Sequence, residues 1–124
     1  MNISEAISLV NTLKPNQYSD SQKIAWLSQL DGKIFLELTK THMGGIDTFH
    51  GYAPDVDLET ELLVEFPFSQ EIYNYYLQSM IDRENGEVSK YNQSAAMFNE
   101  AYQAYVGWYN RNHVPLPNAS AFLF

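Results

Sequence analysis

The chain has 124 residues, enough for one domain with a real core and too few for two independent ones. Its formal charge is −8, from fifteen acidic against seven basic residues, so it lacks the clustered positive charge of a nucleic-acid reader. It has no cysteine, which excludes disulfides, thiol catalysis and Cys-based zinc sites.

The opening MNISEAISLV has neither a basic start nor a long apolar run, so no secretory signal is expected. No window approaches the roughly 18 apolar residues that span a bilayer. An intracellular, soluble protein is the expectation. Within that opening, Ile3, Ala6, Ile7, Val10 and Leu13 share one helical face. Asn2 followed by Glu5 has capping-box form, and Pro15 ends the helix. The next stretch, SDSQKIAWLSQLDGKIFLELTKTH, predicts a second helix. Ser19 with Gln22 forms its capping box, and Ile24, Leu27, Leu30, Ile34 and Leu38 recur at threes and fours. Gly32 weakens its middle by about 1 kcal/mol relative to Ala. Gly44 is placed as a left-handed C-cap, with Lys40 and His42 near the negative helix end.

From Gly44 to Pro67 the helical period disappears. This stretch reads either as a long excursion containing a small β-hairpin or as an irregular loop, and loops above roughly 12–15 residues are usually functional or mobile. Ser69 then opens a third helix, with Phe68 and Tyr73 at the hydrophobic-staple positions and Ile72, Tyr76 and Met80 at intervals of four. Asn85-Gly86 signals a turn. Beyond it Tyr91, Ala95, Phe98, Tyr102, Tyr105 and Tyr109 form a stripe, backed by Val88, Ala101 and Trp108. Eleven of the chain's aromatic residues lie between Phe66 and Tyr109, which marks this part as core or as an adhesive face. A helical hairpin is the expected arrangement. A single long kinked helix is the alternative, because Ile81, Val88 and Ala95 keep a seven-residue phase through Gly86.

The chain offers little that resembles a chemical site. His42, His50 and His113 lack the i, i+4 spacing of a two-His metal face. Counted from Asp55, the acidic run DVDLETE places Thr60 and Phe66 where a calcium loop needs Gly and Glu. Gly44-Gly45 is not followed by the Lys and Ser/Thr of a phosphate loop, and no serine sits in a G-x-S-x-G elbow. The tyrosines lack the basic groove of single-strand binders. No catalytic residue, metal or cofactor is therefore expected, and surfaces are expected to do the work.

The run TELLVEFPFSQEIYNYYLQSMIDRENGEVSKYNQSAAMFNEAYQAYVGWYNRNHVP resembles small proteins from the capsid and head-completion regions of tailed phages and of prophages in low-GC Gram-positive bacteria, those of the head–tail connector (adaptor) group. The weight rests on Tyr73 to Tyr76, NGE at 85–87, YN at 91–92, MFNEAY at 97–102 and WYNRNH at 108–113, and the likeness extends forward to about Ala6. It implies an all-α fold of about four helices. It also implies a non-enzymatic assembly protein that forms a ring on the portal, extends the DNA channel and meets the portal or a tail-completion protein. Such a protein is expected in the bacterial host cytoplasm during assembly and then in the virion neck. A small acidic adaptor or regulatory protein that binds another protein through its aromatic helices is the alternative.

The chain ends in HVPLPNASAFLF, where Pro115 and Pro117 hold an extended arm, 114–124, beyond a single domain spanning 1–113. The arm either tucks over its own helices or reaches a neighbour, and the second reading is preferred. The expected partner-binding residues are Leu116, Phe122, Leu123 and Phe124 on the arm and Phe49, Tyr52, Asp55 and Asp57 on the long loop.

Overall fold

Asn2 caps the first helix as the sequence requires: its side chain accepts from the Glu5 N–H at 2.8 Å, and Glu5 accepts in return from the Asn2 N–H at 2.9 Å. In the computed structural model, which describes residues 1–116, this helix, α1, spans Ile3–Leu13. Next comes α2 (Asp20–Ile34), opened by Ser19, whose hydroxyl accepts from the Gln22 N–H. Its last turn widens to π-helical geometry over Phe35–Thr39, where the Lys40 N–H reaches back to the Phe35 carbonyl. Helix α3 spans Ser69–Glu84 and α4 spans Val88–Asn112. The described residues contain no strand, only two isolated bridges, so the fold is all-α and the possible β-hairpin is absent from 44–67.

The turn at Asn85-Gly86 reverses the chain, with Gly86 at φ +72°, a conformation that residues bearing a Cβ adopt at a cost. Helices α3 and α4 therefore form an antiparallel hairpin rather than one long rod. Asp82 meets Ser94, Tyr76 meets Phe98, and Phe68 meets both Tyr105 and Trp108. Helix α3 is central, since α1, α2 and α4 all pack on it. The core joins Ile3, Ala6, Ile7 and Val10 of α1 to Ile24, Leu27, Leu30 and Ile34 of α2. Ile72, Tyr73, Leu77 and Ile81 of α3 fill its middle, and Tyr105 and Tyr109 of α4 close it.

Four local expectations change. Leu13 and Val88, both on apolar phases, are 57% and 69% exposed, because each lies at a helix end. Ser69 does not act as a side-chain cap. The Phe68 and Ser69 N–H groups already donate to the Glu65 carbonyl, and the Ser69 side chain is buried in the first turn. Phe68 packs across the hairpin on Tyr105 and Trp108. Gly44 has the expected positive φ, +83°, but lies beyond the end of the π-helical turn at Thr39. The last carbonyls are met instead by Thr41 Oγ1, which donates to Glu37 or Leu38, and by His42 Nδ1, which lies 2.7 Å from the Leu38 carbonyl.

Candidate interaction site

Residues 44–67 form a strap across the bundle, and directed hydrogen bonds hold it there in place of secondary structure. At one end it serves α1. The N–H groups of Ile3 and Ser4, unpaired within their own helix, donate to the carbonyls of Thr60 and Leu58. The Leu62 N–H donates to the Met1 carbonyl at 3.0 Å. At the other end the Tyr52 N–H donates to Ser28 Oγ of α2 at 2.9 Å, and Phe49 packs between Phe35 and Tyr52.

Between these ends lies a buried polar centre that reading the sequence did not single out. Asp31 sits on the core side of α2, in phase with Leu27 and Ile34, and is fully buried. Its Oδ2 accepts from the Tyr52 hydroxyl at 2.5 Å and from the Leu63 N–H at 3.1 Å, and its Oδ1 accepts from the Tyr73 hydroxyl at 2.6 Å. The Tyr73 oxygen in turn accepts from the Val64 N–H at 2.9 Å. One carboxylate thus ties the strap at two points to α2 and α3. Burial pushes the Asp31 carboxyl above the usual carboxylate range, and its three donors pull it part of the way back. Burial and the adjacent carboxylate push the Tyr52 and Tyr73 hydroxyls upward, so both remain donors. The available signal was an acid in register with an apolar stripe. An acid at such a position must find donors or lose its charge.

A second buried acid braces the hairpin. Asp82 accepts from Lys14 Nζ at 2.6 Å and from Ser94 Oγ at 2.9 Å, with no exposure of its own. Two further tyrosines reach carboxylates: Tyr105 donates to Glu65 at 2.6 Å, and Tyr102 donates to Glu37. Much of the aromatic stripe of α4 is therefore packing that also positions acids.

The root of the arm is clipped onto its own chain. The Met43 N–H donates to the Val114 carbonyl at 2.8 Å, and the Leu116 N–H donates to the Thr41 carbonyl at 2.9 Å, flanking the His42–Pro115 bridge. His42 is buried, with Nε2 2.8 Å from the Asn110 amide oxygen. His113 stacks on Tyr109 with ring centroids 3.7 Å apart. Around this root Met43, Ile46, Val114 and Leu116 are exposed, and Met43, Ile46 and Leu116 line a hollow of about 310 Å³.

The expected partner-binding residues thus fall into separate places. Leu116 is at the arm root, while Phe122, Leu123 and Phe124 lie outside the described residues. Phe49 and Tyr52 are half-buried against α2, and the Tyr52 hydroxyl is committed to Asp31. Asp55 and Asp57 are exposed on the strap and form no ion pair within the described residues. The structure does not bring the arm root and Asp55–Asp57 together at one site. Among the described residues no group of three or more His, Asp or Glu is placed to hold a metal, and no helix is long and apolar enough to cross a membrane.

The fold and these surfaces define an all-α protein in which a helical hairpin is buttressed by two shorter helices and bound by a hydrogen-bonded strap. No protein-family model matches the sequence, and neither a curated protein nor a solved structure matches it.

Proposed function

We propose that the protein is a non-enzymatic virion assembly factor, a head–tail connector that oligomerises as a ring on the portal and extends the DNA channel. The observation that carries this reading is the exposed apolar rim of Met43, Ile46, Val114 and Leu116 beside the His42–Pro115 bridge. Contiguous exposed apolar surface is what a docking partner covers. The acid excess supports the same reading, since a negatively charged channel wall repels DNA and lets it pass. The resemblance of the α3–α4 sequence to connector proteins agrees with both. The protein then acts in the bacterial host cytoplasm during assembly and resides afterwards in the virion neck.

Co-sedimentation of the purified chain with portal-containing, tailless capsids tests this. Saturable binding that is lost on deleting Phe122 to Phe124 supports a connector whose arm reaches the portal. Binding that survives the deletion keeps the connector and removes the arm from the contact. Absence of binding refutes the connector and leaves the small acidic adaptor as the working function.

A further inference from the structure

We propose that copies of this chain associate head to tail, the Asp57–Thr60 turn of one copy docking into the groove between α2 and the start of the strap on the next. This rests on the ring-forming part of the function proposed above and names the two surfaces that would form the ring.

The groove, of about 640 Å³, has Phe35, Leu36 and Phe49 in its lining, and it carries Lys33 on one side and His50 on the other. No acid lines it. That is unusual for a chain of charge −8, and the cations explain why it matters. Of the seven Lys and Arg, Lys14, Arg83 and Lys90 are held in ion pairs, and Lys23 is buried with Nζ donating to the Tyr18 carbonyl. Lys33, Lys40 and Arg111 make no ion pair among the described residues. Lys33 lines the groove beside Leu36, which is 60% exposed, and Lys40 lines the neighbouring hollow beside Met43, which is 55% exposed. The nearby acids are turned elsewhere or stand alone. Glu37 accepts from Tyr102, and Asp47 shares the neighbouring hollow with Lys40 without pairing to it.

The complementary surface is a turn on the same chain. The Thr60 N–H donates to the Asp57 carbonyl and the Glu59 N–H to Asp57 Oδ1, so Leu58 and Glu59 form the tip. Leu58 is 38% exposed although it is apolar, and Asp55, Asp57 and Glu59 beside it are exposed without cationic partners among the described residues. An apolar knob between carboxylates thus matches an apolar floor beside the Lys33 cation. The two surfaces are also separated on the molecule. The groove lies where the strap meets α2 at Ser28, and the strap then carries the turn on to the N-terminus of α1, where the Leu58 and Thr60 carbonyls accept from the Ser4 and Ile3 N–H groups. Different patches that complement each other make a heterologous contact, which closes into rings or extends into filaments. One turn in one groove buries less than the roughly 1,600 Å² of a standard interface, so each contact is weak, dependent on concentration and sensitive to salt.

Charge reversal on each surface, followed by mixing, tests the pairing. The doubly substituted Lys33→Glu/Lys40→Glu chain and the Asp55→Lys/Glu59→Lys chain alter only exposed residues, and unchanged circular dichroism and melting confirm that each folds. In sedimentation velocity at low ionic strength, from micromolar to millimolar, the wild type shows rising mass that salt suppresses. Each reversed chain alone loses self-association by about tenfold or more, and an equimolar mixture of the two recovers it, because every contact in the mixture is again between opposite charges. Leu58→Ala weakens association without changing its salt dependence. Zero-length carbodiimide cross-linking of mixed isotopically light and heavy chains joins Lys33 or Lys40 of one copy to Asp55, Asp57 or Glu59 of another. A wild type that stays monomeric at millimolar concentration overturns the proposal, and so does a mixture that fails to recover or an intermolecular cross-link pattern that omits these residues. Capsid binding by a chain that does not self-associate would sink this contact and leave the connector standing. Self-association through it without capsid binding would do the reverse.

Discussion

Replacing Tyr73 by Phe removes a single oxygen from the centre of the molecule, and the structure sets the size of the effect. The Tyr73 ring is fully buried and stays in place, so no cavity of note forms. Two hydrogen bonds disappear: the donation to Asp31 at 2.6 Å and the acceptance from the Val64 N–H at 2.9 Å. A bond to a charged group contributes roughly 1.5–3 kcal/mol, and a buried donor left without an acceptor costs roughly 1–3 kcal/mol. Val64 is almost wholly buried, so water does not replace the lost oxygen. The expected destabilisation is about 3 kcal/mol, a large share of the roughly 5–15 kcal/mol that holds such a domain together. Its pH dependence follows from Asp31. The folded carboxyl already sits above its ordinary value because of burial, and Tyr73 is one of the groups that lower it. The substitution therefore raises it further, and the penalty is greatest at neutral pH, where the carboxylate has lost a donor. It shrinks as pH falls through the raised folded value and Asp31 takes up a proton. Urea unfolding of wild type and variant at pH 7 and at mildly acidic pH measures this, with Tyr102→Phe, half-buried and bonded to the exposed Glu37, as the comparison, expected below about 1 kcal/mol. A Tyr73→Phe cost within about 0.5 kcal/mol of zero at neutral pH would refute the account of Asp31 as the fastening of the strap.

Other perturbations test other parts of the frame. At the hairpin brace the two partners are unequally buried, Lys14 at 24% side-chain exposure and Asp82 at 0%. Lys14→Met, which leaves a buried carboxylate without its cation, should therefore cost about 3 kcal/mol, more than Asp82→Asn, by equilibrium unfolding. In Gly51→Ala the new Cβ falls 2.6 Å from Ser28 Oγ at a φ of +88°. It should displace the acceptor of the Tyr52 N–H and raise hydrogen exchange at Tyr52 and Leu63 while the amides of α4 keep their protection; uniform exchange across the chain would count against a locally fastened strap.

Much of the helical frame was legible in the sequence because its determinants are local. A cap needs one oxygen within three residues of an N–H, which is why Asn2 with Glu5 and Ser19 before Gln22 identified two helix starts. A turn needs a residue that tolerates positive φ, and Asn85-Gly86 located it. Periodicity also supplied most of the core, and it misled only at Leu13 and Val88, where the stripe runs on past the neighbour that would bury it. His42 at the end of α2 was readable for the same local reason.

The contacts that only folding decides are those between residues far apart in the chain. Nothing near Asp31 announces that Tyr52 and Tyr73 will reach it, twenty-one and forty-two residues away. The strap has no period because its N–H and C=O groups are satisfied one at a time by α1, α2 and α3, so its order is a property of the assembled bundle. The same holds for the groove beside Lys33. Its cation was visible as a letter, but that Lys33 makes no ion pair among the described residues depends on where the chain's acids are placed in space. Local spacing by itself determined where helices begin, turn and present apolar faces. The tertiary structure alone decided which polar groups those faces enclose and which charges remain at the surface, because hydrogen bonds and ion pairs form between neighbours in space.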